Sequence, residues 1–108
     1  GNNMNENTLV SNITSQDLAD YIRIVEVTND DLNTLNTLLS VAKNFIMNYT
    51  GHTEGELDNY QDFVIVVLIL CQDMWDNRIL YVDKNNLNKV VETILGMHSV
   101  NLLWAKVI

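Results

Sequence analysis

The sequence predicts an all-α protein, a small bundle of about four helices arranged around one central, buried apolar helix. Apolar residues recur at steps of three and four along most of the chain. Threonine and aspartate pairs that can cap helices precede two of these periodic segments. The chain has no proline and only four glycines, so few positions interrupt a helix. At 108 residues, it is expected to form one domain.

A first short helix is predicted to begin after Thr14. The segment TSQD can form a capping box, in which the Thr14 hydroxyl accepts a hydrogen bond from the backbone N–H of Asp17. Leu18, Tyr21, Ile22 and Val25 then share one helix face, because residues three and four apart are neighbours on a helix. The preceding residues 1–13 are polar and rich in asparagine, and we expect them to form a flexible tail.

A second, longer helix is predicted from the segment TNDD, Thr28–Asp31, to Gly51. Two acids in its first turn favour a helix N-terminus, and Gly51 can adopt the left-handed conformation that ends a helix. The periodicity lasts fewer than three heptads and lacks alternating flanking charges, so a bundle helix is favoured over a coiled coil. Its apolar stripe consists of Leu32, Leu35, Leu38, Leu39, Ala42, Phe45, Ile46 and Tyr49.

The stretch YQDFVIVVLILCQDMWDNR, Tyr60–Arg78, contains an unbroken apolar run, Phe63–Cys71. Acids bracket this run and leave it too short for a membrane span, which needs roughly 20 apolar residues. Its valines and isoleucines would also suit a buried strand, but no turn residue interrupts Asn59–Trp75. We therefore expect a helix that is capped by Asp58 or Asn59 and apolar on nearly every side, as at the centre of a bundle.

A fourth helix is predicted from DKNNLNKVVETILG, with Asp83 or Asn85 as its cap and Gly96 as its stop. The helical domain then covers residues 14–98. The following residues 99–108 are mostly apolar, and they either fold back onto the bundle or dock on a partner. The expected buried face of the helix consists of Leu87, Val90, Val91, Ile94 and Leu95.

Charge and cysteine content exclude several classes of protein. Lys and Arg number 6 against 14 Asp and Glu, and this net charge of -8 argues against a protein that grips nucleic acid by its phosphates. The single cysteine, Cys71, lies inside the apolar run and is expected to be a core residue in a reducing compartment. No basic and apolar leader is recognisable, so secretion is not expected.

No catalytic residue, cofactor site or metal site is predicted. His52 and His98 are far apart, and neither has a second histidine or a cysteine at ligand spacing, so His52 is expected to be a solvated loop residue. Asp62, Asp73 and Asp76 are best explained as solvated carboxylates near helix ends. The sequence has no glycine-rich phosphate loop and no nucleophile elbow. These features predict an acidic interaction domain and not an enzyme.

Three stretches resemble, in order, spacing and length, the helices of the head-tail connector family of tailed bacteriophages, also described as DNA-packaging or neck adaptor proteins. They are DYIRIVEVTNDDLNTLNTLLSVAKNFIMNYTG, VIVVLILCQDMWDNR and NKVVETILGMH, and together they cover about Ser15 to His98. The resemblance implies a homo-oligomeric ring that contacts the portal protein and a tail-completion protein, away from any membrane, and lets DNA pass without specific binding. It implies a place in the virion neck, with assembly in the host cytoplasm, or a prophage origin in a bacterial genome.

The resemblance also suggests roles for particular residues. Trp75 and Arg78 lie just after the apolar run of the central helix. Trp75 is either the last core residue of this helix or an interface anchor, and Arg78 is either a charge at the helix C-terminus or an interface anchor. Acids that face the lumen of a ring would repel phosphates, so that a duplex slides without sticking. The candidate subunit or portal interface comprises Trp75, Asp76, Arg78, Leu102, Leu103, Trp104 and Val107, and the candidate acidic lumen comprises Asp30, Asp31, Glu54, Glu56 and Asp58.

An alternative from another class is a small acidic helical regulator that binds a host or phage protein, for example by mimicking the charge of DNA. The oligomeric state separates the two hypotheses. A connector forms a large closed oligomer, whereas a mimic stays monomeric or dimeric and binds a basic partner.

Overall fold

The computed structural model describes residues 8–100 of the chain. This part contains four α-helices and no strand. The helices are α1 (Ser15–Ile22), α2 (Asn29–Thr50), α3 (Asp62–Asn77) and α4 (Lys89–His98). The predicted all-α bundle is confirmed. Short 3₁₀ turns occupy Val10–Asn12, Gly55–Asn59 and Lys84–Asn86.

The two predicted capping boxes form as the sequence indicated. The Thr14 hydroxyl accepts from the Asp17 N–H at 3.1 Å, and the Asp17 carboxylate accepts from the Thr14 N–H at 2.9 Å. Thr28 and Asp31 repeat this arrangement at the start of α2, with both distances at 3.0 Å. Gly51 ends α2 in the left-handed conformation, with φ of 86°. Local hydrogen bonding therefore determines both ends of α2 and the start of α1.

Helix α3 lies at the centre of the bundle and packs against α1, α2 and α4. Burial of its apolar surface on several sides is the main source of its stability, since burial contributes about 25 cal/mol per Å² of apolar area. The predicted central apolar helix is confirmed, although Ile65 is 48% exposed. Its buried residues are Phe63, Val64, Val66, Val67, Leu68, Leu70, Cys71 and Met74.

The start of α3 differs from the prediction. The helix begins at Asp62, and its N-cap residue Gln61 makes no side-chain capping bond. The expected cap at Asp58 or Asn59 is wrong, because these residues belong to the preceding 3₁₀ turn. The Asp58 carboxylate instead accepts from the Ser11 N–H at 2.9 Å, a contact between segments 47 residues apart.

The start of α4 also differs. Asn88 is the cap, and its side-chain oxygen accepts from the Val90 N–H at 2.7 Å and from the Val91 N–H at 3.4 Å. The expected caps, Asp83 and Asn85, are wrong because a separate 3₁₀ turn intervenes. Several residues in this polar stretch can cap a helix, and packing selects Asn88 among them.

The end of α4 lies beyond the predicted stop. Gly96 is within the helix, which continues to His98, and Gly51 is the only glycine with positive φ among the described residues. Gly96 therefore does not adopt the left-handed conformation of a helix stop. Val90 is 50% exposed, contrary to expectation. The residues that α4 does bury are Val91, Ile94 and Leu95.

The packed part of the chain begins before Thr14. Val10 and Ile13 are 2% and 4% exposed, and the turn Val10–Asn12 contacts both the turn before α3 and α3 itself. The expected flexible tail over residues 1–13 is therefore too long at its C-terminal end. Its first seven residues lie outside the described part.

After α4, the chain returns to the C-terminal end of α2. The Val100 N–H donates to the Thr50 carbonyl at 2.7 Å, and the Ser99 hydroxyl donates to the Tyr49 carbonyl at 3.4 Å. Of the expected apolar tail 99–108, only these first two residues lie within the described part. No helix among residues 8–100 is long and apolar enough to cross a membrane.

Candidate functional site

An open groove of about 260 Å³ lies between the start of α2 and the end of α3. Two residues of the candidate interface, Trp75 and Arg78, line it. Trp75 is partly buried and packs against the core, which agrees with the role of a last core residue, and the rest of its side chain borders the groove. The full lining is Asp31, Thr34, Leu38, Met74, Trp75, Arg78, Ile79 and Leu80.

Arg78 ends α3 in a left-handed conformation, with φ of 60°. This conformation costs a non-glycine residue roughly 1–2 kcal/mol. Arg78 forms no ion pair with its neighbour Asp76 or with any other residue within 8–100. The same groove contains Asp31 on its α2 side, so charges of both signs border an apolar interior.

The loop after α3 exposes two large apolar side chains at or near the groove. Leu80 is 59% exposed and Tyr81 is 62% exposed. We call Trp75, Arg78, Leu80 and Tyr81 the α3-end surface. The sequence contains one signal for Leu80 and Tyr81. The apolar run ILYV directly follows a helix end, and no turn residue separates the two. Large exposed apolar patches are typical of interaction sites, and these two neighbouring side chains are candidates for such a patch.

Of the remaining candidate interface residues, Asp76 alone lies in the described part of the chain. Asp76 is exposed on α3, next to Trp75 in sequence. Leu102, Leu103, Trp104 and Val107 lie outside the described residues.

The five candidate lumen acids form two separate groups. Asp30 and Asp31 lie in the first turn of α2, whereas Glu54, Glu56 and Asp58 follow its C-terminal end. The 19 residue steps from Asp31 to Thr50 correspond to about 28 Å along the helix axis. These five acids therefore form two acidic patches and not one.

Three of these acids also have local structural roles. The Asp31 carboxylate accepts from the N–H of Thr28, the N-cap residue of α2, and the Asp58 carboxylate accepts from the Ser11 N–H. The Glu56 carboxylate accepts from the Thr53 N–H at 2.8 Å. This bond, with a further hydrogen bond from His52, lowers the pKa of Glu56 below its ordinary value. Glu56 therefore stays ionised at neutral pH.

The two histidines meet in a cluster that the sequence did not reveal. His52 Nε2–H donates to the His98 carbonyl at 2.7 Å, and His98 Nε2–H donates to Asp62 at 2.9 Å. The His52 side chain is only 8% exposed, and its ring lies 5.0 Å from that of Tyr60. The expectation of a solvated His52 is wrong, because the loop after α2 folds over the start of α3 and the end of α4.

Both ring nitrogens of His52 face acceptors. Nε2 faces the His98 carbonyl, and Nδ1 lies 3.3 Å from Glu56 Oε1. A neutral imidazole has one N–H, whereas an imidazolium has two, so only the imidazolium form can donate to both groups. This cluster joins the loop after α2 to α3 and α4. The cluster is a structural anchor, because its hydrogen bonds hold these three elements together.

The other titratable groups of α3 do not converge on a reactive site. Asp62 binds His98 at the start of the helix, whereas Asp73 lies near its end. Burial raises the pKa of Asp73, and the neighbouring Asp76 adds to the rise. Burial also raises the pKa of the Cys71 thiol to about 12, so it is protonated at neutral pH. Within residues 8–100, no three His, Cys, Asp or Glu side chains are grouped to hold a metal ion.

No protein-family model, curated protein or solved structure matches this chain. The resemblance to phage connectors therefore remains a hypothesis from the sequence. Because small helical bundles serve many functions, functional inference rests on the surfaces described above.

Proposed function

We propose that this chain is a ring-forming connector of the tailed-phage neck, located between the portal protein and a tail-completion protein. In this proposal, the chain is encoded by an infecting phage or by a prophage. Copies of the bundle close into a ring in the host cytoplasm, and DNA passes through the lumen of the ring. The observation that carries the proposal is the α3-end surface beside its open groove.

The chemistry of this surface suits contact with another protein. Tryptophan, tyrosine and arginine are the residues most enriched at interface hot spots, and Trp75, Tyr81 and Arg78 supply one of each. Leu80 adds apolar area that water covers in the isolated chain. The groove, at about 260 Å³, is smaller than typical small-molecule sites of roughly 300–1,000 Å³. It therefore suits the side chains of a partner better than a substrate.

The charge of the chain suits a conduit for DNA. The net charge is -8, and Asp30 and Glu54 are exposed at opposite ends of α2. Closing identical subunits into a ring repeats each charge around one axis, which strengthens the negative field in the lumen. A duplex in such a lumen would gain no attraction from phosphate contacts.

Light scattering coupled to size exclusion, over a range of concentrations and with a portal protein added, tests the proposal. We expect one large species of fixed mass, and electron microscopy of that species should show closed rings. A chain that stays monomeric or dimeric under all these conditions contradicts the proposal. If that chain also binds a basic partner, the acidic regulator would explain the protein instead.

A further inference from the structure

We propose that the C-terminal segment, residues 101–108, folds back on its own copy and lies in a second groove, between α2 and α4. The segment has the sequence NLLWAKVI. We call its site the α2–α4 groove. The inference goes beyond the proposed function, because it concerns a single copy and holds whether or not copies form a ring.

The α2–α4 groove has a volume of about 270 Å³ and an aromatic wall that is partly exposed to water. Phe45 and Tyr49, four residues apart on one face of α2, pack their rings with centroids 5.7 Å apart. Tyr49 is 37% exposed, and Phe45 and Leu87 are partly buried. An apolar segment that covers these side chains would remove their exposed area from water, which is favourable. The full lining is Phe45, Asn48, Tyr49, Lys84, Leu87 and Glu92.

The described part of the chain ends at one end of this groove. The Ser99 hydroxyl donates to the Tyr49 carbonyl at 3.4 Å, and the Val100 N–H donates to the Thr50 carbonyl at 2.7 Å. Tyr49 is itself part of the groove wall. These two bonds fix the start of the C-terminal segment beside the groove.

The reach of the segment favours this groove over the groove between α2 and α3. Phe45 precedes Thr50 by five residues, about 8 Å along the helix axis. Four extended residues, from Val100 to Trp104, span up to about 14 Å, so Trp104 can reach Phe45 of its own copy. Leu38, the residue of the other groove that lies nearest to Thr50 along α2, precedes it by 12 residues, about 18 Å. The α2–α4 groove is therefore the nearer of the two.

A segment in this groove would explain a glycine inside α4. Gly96 lies within the helix, where glycine is unfavourable relative to alanine, and it does not adopt a positive φ. A Cβ at Gly96 would meet no atom within 4 Å among the described residues, so nothing in residues 8–100 requires a glycine there. Gly96 follows Glu92 by four residues, so it lies on the face of α4 that borders the groove. A segment that passes close to α4 at this point accounts for the missing side chain.

The charges of the groove indicate the direction of the segment. Glu92 lines the groove and forms no ion pair within residues 8–100, and Lys84 lines the groove as well. Lys106 is the one charged side chain of the segment and follows Trp104 by two residues. A segment that lies along α4 toward its N-terminus brings Lys106 close to Glu92. This pair orients the segment and adds little affinity, because exposed ion pairs contribute little.

The inference gives the segment two faces. Successive side chains of an extended segment point to opposite sides, so Trp104 and Lys106 face the groove while Leu103 and Val107 face outward. A segment that is already ordered on the bundle loses less conformational entropy when a partner binds its outer face. The use of that outer face in a ring rests on the proposed function.

Cysteine cross-linking within the full chain tests the proposal. The test chain carries Glu92→Cys and Lys106→Cys, and native Cys71 is buried and does not compete. Under mild oxidation, we expect a disulfide within one chain, formed at a rate independent of protein concentration. The matched control carries Val90→Cys and Lys106→Cys, because Val90 is 50% exposed on α4 but does not line the groove. The control pair should react at least about tenfold more slowly, whereas a segment that moves freely would reach both positions at similar rates.

Obstruction of the path gives a second readout. Gly96→Gln places a side chain where the segment passes α4, whereas Thr93→Gln places the same side chain at an exposed position outside the groove. Both variants should keep the helical circular dichroism of the parent, because glutamine is a good helix former. In the chain with cysteines at positions 92 and 106, we expect Gly96→Gln to slow the cross-link at least about tenfold and Thr93→Gln to leave its rate unchanged.

The outcomes separate this inference from the proposed function. Equal rates for the test and control pairs overturn the inference, and closed rings formed by the same chain would leave the connector proposal standing. A disulfide that forms only between chains, at a rate that rises with concentration, also overturns the inference. A selective cross-link within one chain, slowed by Gly96→Gln, supports the inference even in a protein that never forms rings, and in that case the connector proposal alone fails.

Discussion

Replacement of His52 by alanine tests the structural anchor formed by the two histidines. The change removes the hydrogen bond to the His98 carbonyl, the contact with Glu56 and the packing of the ring against Tyr60. A hydrogen bond to a partly buried carbonyl contributes roughly 0.5–1.5 kcal/mol. The bond to Glu56 adds little, because its carboxylate is exposed to water.

Loss of the buried ring adds to the loss of these bonds. Its side chain is 8% exposed, and aromatic pairs contribute roughly 0.5–1.5 kcal/mol beyond the area that they bury. We therefore expect His52→Ala to lower the free energy of unfolding by about 2–3 kcal/mol. A solvated loop histidine would cost less than roughly 0.5 kcal/mol.

Urea denaturation followed by circular dichroism at 222 nm measures this loss. With a slope of about 1–3 kcal/mol per molar urea, the midpoint should fall by roughly 0.7–3 M. Glu54→Ala, in the same loop and exposed, is the matched control and should leave the midpoint almost unchanged. If the two variants have the same midpoint, the anchor does not stabilise the fold and the reasoning is refuted.

Four further predictions concern charge, the end of α3 and the C-terminal segment. Because the folded-state pKa of Glu56 is lowered, its contribution to stability is present above the ordinary value of 4.5 and is lost as pH falls through the folded-state value. Glu56→Gln should therefore lower the free energy of unfolding at pH 7 but not at pH 2. Equal effects of this variant in urea melts at the two pH values would contradict the prediction. Arg78→Gly removes the cost of the left-handed backbone, so it should raise the free energy of unfolding by up to about 1 kcal/mol in the same melts and weaken self-association. A destabilised variant would show that the guanidinium supports the fold. Deletion of residues 101–108 should retain the helical signal and a cooperative melt while abolishing the large oligomer or portal docking, and a truncated chain that fails to fold would place the segment in the core. The protein should show no measurable affinity for a short labelled duplex at physiological salt by fluorescence anisotropy, and micromolar binding that weakens steeply with added salt would reveal a basic face and exclude a passive conduit.

Some of the fold could be predicted from the sequence because its causes are local. The capping boxes at Thr14 and Thr28 join residues three apart, and Gly51 adopts the backbone conformation that other residues resist. The run Phe63–Cys71 is so rich in apolar residues that only a central position buries it. These features needed no knowledge of the rest of the chain.

The boundaries that were wrong depend on competition between similar residues. Asp83, Asn85 and Asn88 can all cap a helix, and the packing of the segment before α4 decides among them. Asp58 could have capped α3, but it binds Ser11, 47 residues away. Local propensity ranks such choices weakly, and a tertiary contact of about 1 kcal/mol reverses the ranking.

The sequence by itself determined an acidic four-helix bundle with α3 at its centre, because periodicity and capping act over three or four residues. The tertiary structure alone decided that His52 meets His98. It also decided that Trp75 and Arg78 share a groove with Asp31. Each of these outcomes depends on which helix ends lie side by side, and the burial of apolar faces between helices sets that arrangement.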